Sequence, residues 1–187
     1  MAGKCTVAFA AMLLIGDSWA GEPAVQALAD GVVLIEGGFE SGHQPDGNTV
    51  VLEGADGLVV FDTGRHPAHS QRILDFAATS KSPIVALVNS HWHLDHIAGN
   101  AVFADCEIIA CARTAAHLER HRAAIETGTS DGPPAIAPLV MPTRTFEGRS
   151  SLSVGSLAID LLEFDIHSDD ATVLWLANDR LLLAGDT

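Results

Sequence analysis

The chain has 187 residues, of which 48% are hydrophobic, and this is enough for one domain with a sizeable core. Twenty-four acidic residues against ten basic residues give a formal charge of −14. This charge disfavours nucleic acid and anionic membrane surfaces as partners and favours solubility.

The first twenty residues have the pattern of a cleaved signal peptide. Lys4 precedes an apolar run from about Thr6 to Gly16, and the small residues Ser18 and Ala20 stand just before a candidate cleavage point. The apolar run is too short to span a bilayer. We therefore predict a signal peptide over 1–20, one domain over 21–187, export to the periplasm or the medium, and no membrane association after cleavage.

The first half of the domain alternates strand and helix patterns. ALADGVVLIEG predicts one strand, and NTVVLEG with GLVVFDTG predicts a hairpin that turns at residues 55–57. HPAHSQRILDFAATS has helical spacing with an apolar stripe. The stripe consists of Ile73, Leu74, Ala77 and Ala78. PIVALVNS predicts a buried strand that leads directly into SHWHLDHIAG.

The second half predicts further strands and one long helix. NAVFAD predicts a short helix, CEIIAC a strand, and RTAAHLERHRAAIETG a helix. Residues 131–142 hold four of the eight prolines and predict a rim loop. SLSVG, SLAIDLLEF, ATVLWLAND and RLLLAGD predict four more strands. Cys106 and Cys111 bracket CEIIAC at an odd spacing, which excludes a disulfide between them if that strand forms.

SHWHLDHIAG places three histidines and one aspartate between positions 91 and 96. In an extended segment, His91, His93 and Asp95 point to one side, and a turn at Asp95 could bring His96 to the same cavity. Imidazole and carboxylate groups are ligands that zinc accepts, and four of them exceed what one ion takes from one segment. Two adjacent metal ions are therefore plausible.

HWHLDH is the H-x-H-x-D-H signature, and with it the chain resembles the metallo-β-lactamase superfamily. VVFDTG resembles the family's early strand that ends in an aspartate, here Asp62. FDIHSDDATVLWL resembles the segment that brings the next ligand, here His167, and LLLAGD the strand that ends at Asp186. The resemblance implies an α/β fold of αββα type, with two mixed sheets faced by helices. It also implies a C-terminal part beyond Thr187 that carries one more histidine ligand.

The resemblance implies a ligand for each of two metal positions. His91, His93 and His167 would hold one ion, Asp95 and His96 the second, and Asp186 would lie between them. Asp62 would not bind a metal ion itself but would orient the ligands through hydrogen bonds. The expected metal is zinc, two ions per complete chain, with iron as the alternative. Asp95 is in addition the candidate catalytic residue, which would position a water or pass a proton to the leaving group.

The implied activity is that of a zinc-dependent metallohydrolase that acts on a small-molecule substrate. Two adjacent cations can lower the pKa of a shared water, and the resulting hydroxide would attack an ester, thioester, lactone or amide. Three alternatives stay open at this point: a metallo-β-lactamase that hydrolyses β-lactam antibiotics, an iron-dependent sulfur dioxygenase, and a non-catalytic metal-binding accessory protein.

The remaining histidines and their neighbours have simpler interpretations. His117 and His121 are four residues apart on a charged helix, which predicts a solvated face rather than a metal site. His66 and His69 are predicted to be exposed loop residues, and His43 is a candidate substrate contact. We expect Trp92 to pack under the metal-binding segment, and Asp169 and Asp170 either to hydrogen-bond a ligand imidazole or to cap a turn.

Overall fold

The computed structural model describes residues 24–39 and 43–186, so the predicted signal peptide lies outside the described residues. The described chain forms two sheets. The larger sheet has seven strands in the spatial order β1 to β7, and the smaller has four in the order β11, β10, β9, β8. The strands of the larger sheet are β1 (Val25–Ala29), β2 (Val32–Ile35), β3 (Thr49–Gly54), β4 (Gly57–Phe61), β5 (Ile84–Val88), β6 (Glu107–Cys111) and β7 (Arg144–Phe146).

The smaller sheet comes last in the chain and is antiparallel throughout. Its strands are β8 (Arg149–Val154), β9 (Leu157–Phe164), β10 (Ala171–Leu176) and β11 (Leu181–Leu183). The four strands match the four that the sequence predicts in this region. The prediction that both sheets are mixed is wrong for this one, because tight connections join successive strands and such connections produce antiparallel pairs.

The larger sheet is mixed, since β1 to β4 pair antiparallel and β4 to β7 pair parallel. Its parallel part is connected by helical crossovers. These are α1 (Pro67–Ser80), the short α2 (Leu94–Ile97) with the 3₁₀ helix Ala98–Phe103, and α3 (Ala112–Glu126). Right-handed crossovers between strands that follow one another in one direction place the connecting helices on the same face.

Three details differ from the sequence predictions. ALADGVVLIEG forms two strands rather than one, because the chain turns at Gly31, whose φ of 68° suits glycine. The three-residue strand β7 was not predicted. In α1, Ala78 is exposed, whereas Leu74, Phe76 and Ala77 pack with the buried Ile73.

The main core lies between the two sheets. It contains residues from both inner faces, such as Leu52 and Val59 of the larger sheet and Leu161 and Leu174 of the smaller one, all at 0% exposure. A second cluster joins α1 to the outer face of the larger sheet. A third joins α3 to α2 and to the proline-rich segment 131–142, which has no regular secondary structure, as predicted.

The fold class is confirmed as α/β, with two sheets packed face to face and helices on the outer face of the larger one. Helices cover the larger sheet, as the αββα prediction requires. All helices of the described residues precede β8 in the chain, so within 43–186 no helix follows the strands of the smaller sheet. Cys106 and Cys111 are both free thiols, which confirms that they do not form a disulfide. Within the described ranges, no helix is long and apolar enough to cross a bilayer.

Candidate metal centre

The predicted ligands meet where several strands end. β4 and β5 are parallel neighbours, so Asp62, which follows β4, and the segment 91–96, which follows β5, leave the sheet at the same edge. From the smaller sheet, the loop between β9 and β10 brings His167, and the segment after β11 brings Asp186. The topology therefore collects ligands that are far apart in the sequence.

His91, His93 and His167 point ring nitrogens at one another. His91 Nε2 lies 2.9 Å from His93 Nδ1, and His167 Nε2 lies 3.2 Å from the same His93 atom. Around a tetrahedral zinc ion with bonds of about 2.0–2.1 Å, ligand nitrogens are roughly 3.3 Å apart. The three imidazoles therefore have the chemistry and nearly the spacing of one metal site.

His96 and two carboxylates form a second group beside the first. His96 Nε2 lies 3.3 Å from Asp186 Oδ2 and 3.5 Å from Asp95 Oδ2. Asp186 Oδ2 is also 3.9 Å from His167 Nε2, so this carboxylate lies between the two groups. His96 Nε2 is buried and has no hydrogen bond of normal geometry among the described residues. Such a nitrogen between carboxylates fits a bound cation.

Asp62 and Ser90 fix the orientation of two of these rings. Asp62 Oδ2 lies 2.7 Å from His96 Nδ1, and its Oδ1 accepts a hydrogen bond of 2.7 Å from the Ser90 amide. The Ser90 hydroxyl lies 2.9 Å from His91 Nδ1. Both Nδ1 atoms are thus occupied, which leaves Nε2 of each ring to face the centre. Sequence reasoning missed Ser90, whose only signal is its position before His91.

The electrostatics of the centre favour neutral histidine ligands on one side and a cation on the other. Burial, and then the nearby His96, lower the pKa of His91 to about 2. Burial and His167 also lower the pKa of His93. Neutral imidazoles have the free lone pair that a metal requires. The structure therefore provides two of the three histidines in the form that binds metal.

The carboxylates have the opposite effect on His96. Burial lowers its pKa, but Asp62, Asp186 and Asp95 outweigh this effect and hold the pKa well above its usual value. The close contact with His96 lowers the pKa of Asp186 to about 2. This excess of negative charge around one buried nitrogen is what a divalent ion would neutralise. The six residues thus fit a divalent metal site, and their individual roles as ligands stay a prediction.

Two of the other histidines differ from expectation. His69 is not an exposed loop residue: it lies in the first turn of α1 at 0% exposure, and His66 is half-buried. The side chain of His69 reaches inward because Thr49 and Arg72 supply hydrogen-bond partners there. His43 is exposed, with its ring 6.2 Å from that of His66, and its contact with substrate stays a prediction.

His117 and His121 do not form a solvated face either. Their rings stack on Trp92 with centroids 5.4 and 4.8 Å from it, and both are partly buried. Trp92 packs under the metal-binding segment, as expected, and its ring also meets that of His93 edge to face at 5.1 Å. The apolar faces of the two imidazoles account for this packing on a charged helix.

Asp169 and Asp170 do not hydrogen-bond the imidazole of His167. Asp169 Oδ1 pairs with His117 Nε2 at 2.7 Å, and the buried Asp170 accepts a hydrogen bond of 2.8 Å from the Thr114 hydroxyl. Both aspartates therefore connect the loop that carries His167 to helix α3.

A cavity of about 290 Å³ opens beside the histidine cluster. Its lining combines apolar surface from Trp92 and Leu94 with polar groups of the rim loop and of the metal centre. Asp131 on this rim is held by Arg65, whose side chain is 1% exposed and whose Nη1 lies 2.7 Å from Asp131 Oδ2. The rim is thus anchored to the segment that follows Asp62.

Two sequence comparisons found similarity to known proteins. The sequence profile of the Metallo-beta-lactamase superfamily matches residues 44–187. A linear primary-alkylsulfatase from Pseudomonas sp. (strain ATCC 19151) is 23% identical in an alignment 170 positions long, and the match covers 73% of this chain and 32% of that protein. The chain therefore spans about a third of the length of this curated relative.

Solved structures show the same fold. A metallo-β-lactamase from Pontibacter korlensis superposes with a TM-score of 0.68 at 18% identity, over 86% of this chain and 70% of that one. The DIM-1 metallo-β-lactamase gives a TM-score of 0.67 at 19% identity, over 88% and 70%. The sequence profile covers most of the chain, and its range includes the whole histidine-aspartate centre. This protein therefore belongs to the metallo-β-lactamase superfamily.

Proposed function

We propose that this protein is a zinc-dependent hydrolase that cleaves an ester-type bond of a small substrate. The observation that carries the proposal is the pair of adjacent groups, three histidines on one side and His96 with two carboxylates on the other. Imidazole and carboxylate ligands at these distances suit zinc, and the superfamily supports a divalent metal. When bound, the ions supply an activated water and stabilise negative charge on the substrate.

Asp95 is the residue best placed to accept and donate protons during the reaction. Burial raises its pKa, but the contact with His96 outweighs this effect and lowers the pKa, so the carboxylate is ionised at neutral pH. Its side chain is 24% exposed and lines the cavity. Asp95 can therefore accept a proton from the attacking water and pass it to the leaving group. The apolar floor of the cavity would meanwhile hold the non-reacting part of the substrate.

Hydrolysis of an alkyl sulfate ester is a second candidate. It is favoured by the similarity to a linear primary-alkylsulfatase, which covers 73% of this chain. The anionic sulfate would face the cations, and an alkyl chain could lie against Trp92 and Leu94. Metallo-β-lactamases share the fold, so the hydrolysis of a β-lactam is also tested below.

Metal analysis is the first test. We expect about two zinc ions per chain in the purified protein and a large loss in His93→Ala, because His93 Nδ1 faces both other histidines. The measurement is elemental analysis together with circular dichroism to confirm folding. Iron instead of zinc would favour a dioxygenase, and a well-folded chain without metal after zinc addition would contradict the proposal.

Activity is tested next with the zinc-loaded chain. The panel comprises a thioester, an aryl ester, a lactone, nitrocefin and hexyl sulfate, the last followed by sulfate release. Asp95→Asn is expected to lower kcat by roughly 10²–10⁴, the usual contribution of general acid–base catalysis. Binding of zinc without turnover of any compound would favour a metal-binding accessory protein.

The protein is further proposed to act outside the cytoplasm, supported by Lys4 and the apolar run that follows it. N-terminal sequencing of the exported protein tests this, and an N-terminus at Gly21 is expected. Recovery of the uncleaved chain in the cytoplasm would contradict export.

A further inference from the structure

The loop between β9 and β10, residues 165–170, carries the candidate ligand His167. His167 is 36% exposed in its side chain, and its ring touches only groups of the metal centre among the contacts of the described chain. A ligand on an exposed loop binds metal well only if the loop is held in place, because ordering a loop costs conformational entropy.

The first two turns of helix α3 hold this loop. Asp170 is at 0% exposure, and its carboxylate accepts hydrogen bonds from Thr114 Oγ1 at 2.8 Å and from Ser168 Oγ at 2.5 Å. Its backbone carbonyl accepts a further bond from the Cys111 thiol at 3.2 Å. Because a buried carboxylate without these partners would be costly, the loop has one strongly preferred position on the helix.

Asp169 makes a second attachment to the same helix. Its backbone carbonyl accepts a bond from Arg113 Nη1 at 2.7 Å, and its Oδ1 pairs with His117 Nε2 at 2.7 Å. The Asp169 carboxylate is largely exposed, so this attachment contributes less than the one made by the buried Asp170.

Helix α3 also supports the other metal-binding segment. His117 and His121 stack on Trp92, which lies between His91 and His93 in the sequence. The two imidazole rings are nearly parallel, and their centroids are 6.4 Å apart. Rings stacked on opposite faces of the indole would have centroids about 10 Å apart, so both imidazoles lie on the same face. His117 therefore touches both chain segments that supply the three histidines.

We propose that helix α3 positions His167 relative to His91 and His93, through Thr114, His117 and the two aspartates of the loop, and thereby sets the metal affinity of the three-histidine site. This inference rests on the metal binding proposed above but not on the hydrolytic activity. Thr114 and His117 are positioning residues: neither belongs to the three-histidine group or to the group around His96, and each acts through the loop or through Trp92.

The test is titration of the metal-free, full-length chain with Co²⁺, followed by the visible absorption of the bound ion. This absorption reports coordination geometry as well as affinity. We expect Thr114→Val to raise the Kd for Co²⁺ by about 10-fold and to change the spectrum. This is the lower end of the range for losing a direct hydrogen-bond partner of a ligand, because Thr114 acts on His167 through Asp170. Thr114→Ser, which keeps the hydroxyl, should restore both.

His117→Phe tests the exposed attachment, because phenylalanine keeps the stack on Trp92 but cannot bond Asp169. We expect a several-fold rise in the Kd and no further rise in the double variant with Asp169→Ala. The matched control is His121→Phe, one turn further along α3, which stacks on the same indole and has no bond to Asp169. This control should leave the Kd and the spectrum unchanged.

Unchanged Co²⁺ affinity and spectrum in both Thr114→Val and His117→Phe, with wild-type binding intact, would overturn this inference alone. Absence of Co²⁺ binding by the folded wild-type chain would overturn the metal site together with it. Should Thr114→Val fail to fold by circular dichroism, the surface variants His117→Phe and Asp169→Ala decide the question.

Discussion

At the scale of single residues, burial separates the nine histidines into different chemical roles. His69 shows this outside the metal centre. Arg72 donates a hydrogen bond of 2.9 Å to His69 Nδ1, so the ring proton is on Nε2, which donates to Thr49 Oγ1 at 2.7 Å. Thr49 in turn donates to the carbonyl of Asp62 at 3.0 Å. A neutral His69 therefore helps to fix the backbone of the residue that orients His96.

Folding stability should depend on pH through His69. Burial lowers its pKa from 6.5 to about 4 in the folded chain, so the unfolded chain binds the proton first as the pH falls. The contribution of the neutral His69 to the free energy of unfolding is fully present above pH 6.5 and is lost as the pH falls from 6.5 to 4. The free energy of unfolding should therefore be lower by roughly 2–3 kcal/mol at pH 4.5. Urea unfolding of the metal-free chain at pH 7 and pH 4.5 measures it.

The variant His69→Gln isolates this contribution from that of the other histidines. It should be less stable at pH 7 and should lose about 2 kcal/mol less than the wild type between pH 7 and 4.5. An equal loss in both proteins would show that His69 is not the titrating group.

At the scale of elements, the 3₁₀ helix Ala98–Phe103 packs against the segment after β4 at very short range. The Gly99 amide bonds the carbonyl of Gly64 at 3.2 Å. A Cβ at position 99 would lie 2.5 Å from the carbonyl oxygen of Thr63 and would also meet the Ser70 hydroxyl. This contact holds the segment that follows HWHLDH against the segment that carries Asp62.

Gly99→Ala should therefore destabilise the chain by about 1–3 kcal/mol, because the added methyl group meets backbone that cannot move freely. Urea unfolding measures the change, and Ala101→Ser, exposed on the same 3₁₀ helix, is the control expected within about 0.5 kcal/mol of wild type. A stability of Gly99→Ala equal to that of the control would contradict the close packing.

At the scale of the whole molecule, the metal centre depends on how the two sheets pack. Asp62 and the segment 91–96 come from the larger sheet, and His167 and Asp186 come from the smaller one. Their separation is therefore set by the core between the sheets, in which Leu161 and Leu174 are fully buried. A change in this core should alter both stability and metal binding.

Leu174→Ala should cost about 2–5 kcal/mol, the usual range for a buried leucine. Leu182, on the neighbouring strand β11, is only partly buried, and Leu182→Ala should cost less than half as much. Denaturant unfolding of both variants provides the comparison, and equal losses would mean that the face carrying Leu174 is not the packed one.

Much of the fold and of the candidate site could be predicted from sequence. The alternation of apolar residues identifies most strands, and HWHLDH places four candidate ligands within six positions, because these signals are local. The resemblance to a known family then indicated Asp62, His167 and Asp186, which the structure brings to the same centre. The predicted signal peptide lies outside the described residues and stays a prediction.

Other features were decided only by tertiary structure. Nothing near His69 in the sequence indicates burial, because its partner Thr49 lies twenty positions away. The same holds for His117, whose partner Asp169 is fifty-two positions away. The groups that could bind a metal can be read from the amino-acid sequence alone, since ligand chemistry belongs to the residue. Folding decided which of them are buried, neutral and held in position, since burial and hydrogen-bond partners depend on residues that are distant in the chain.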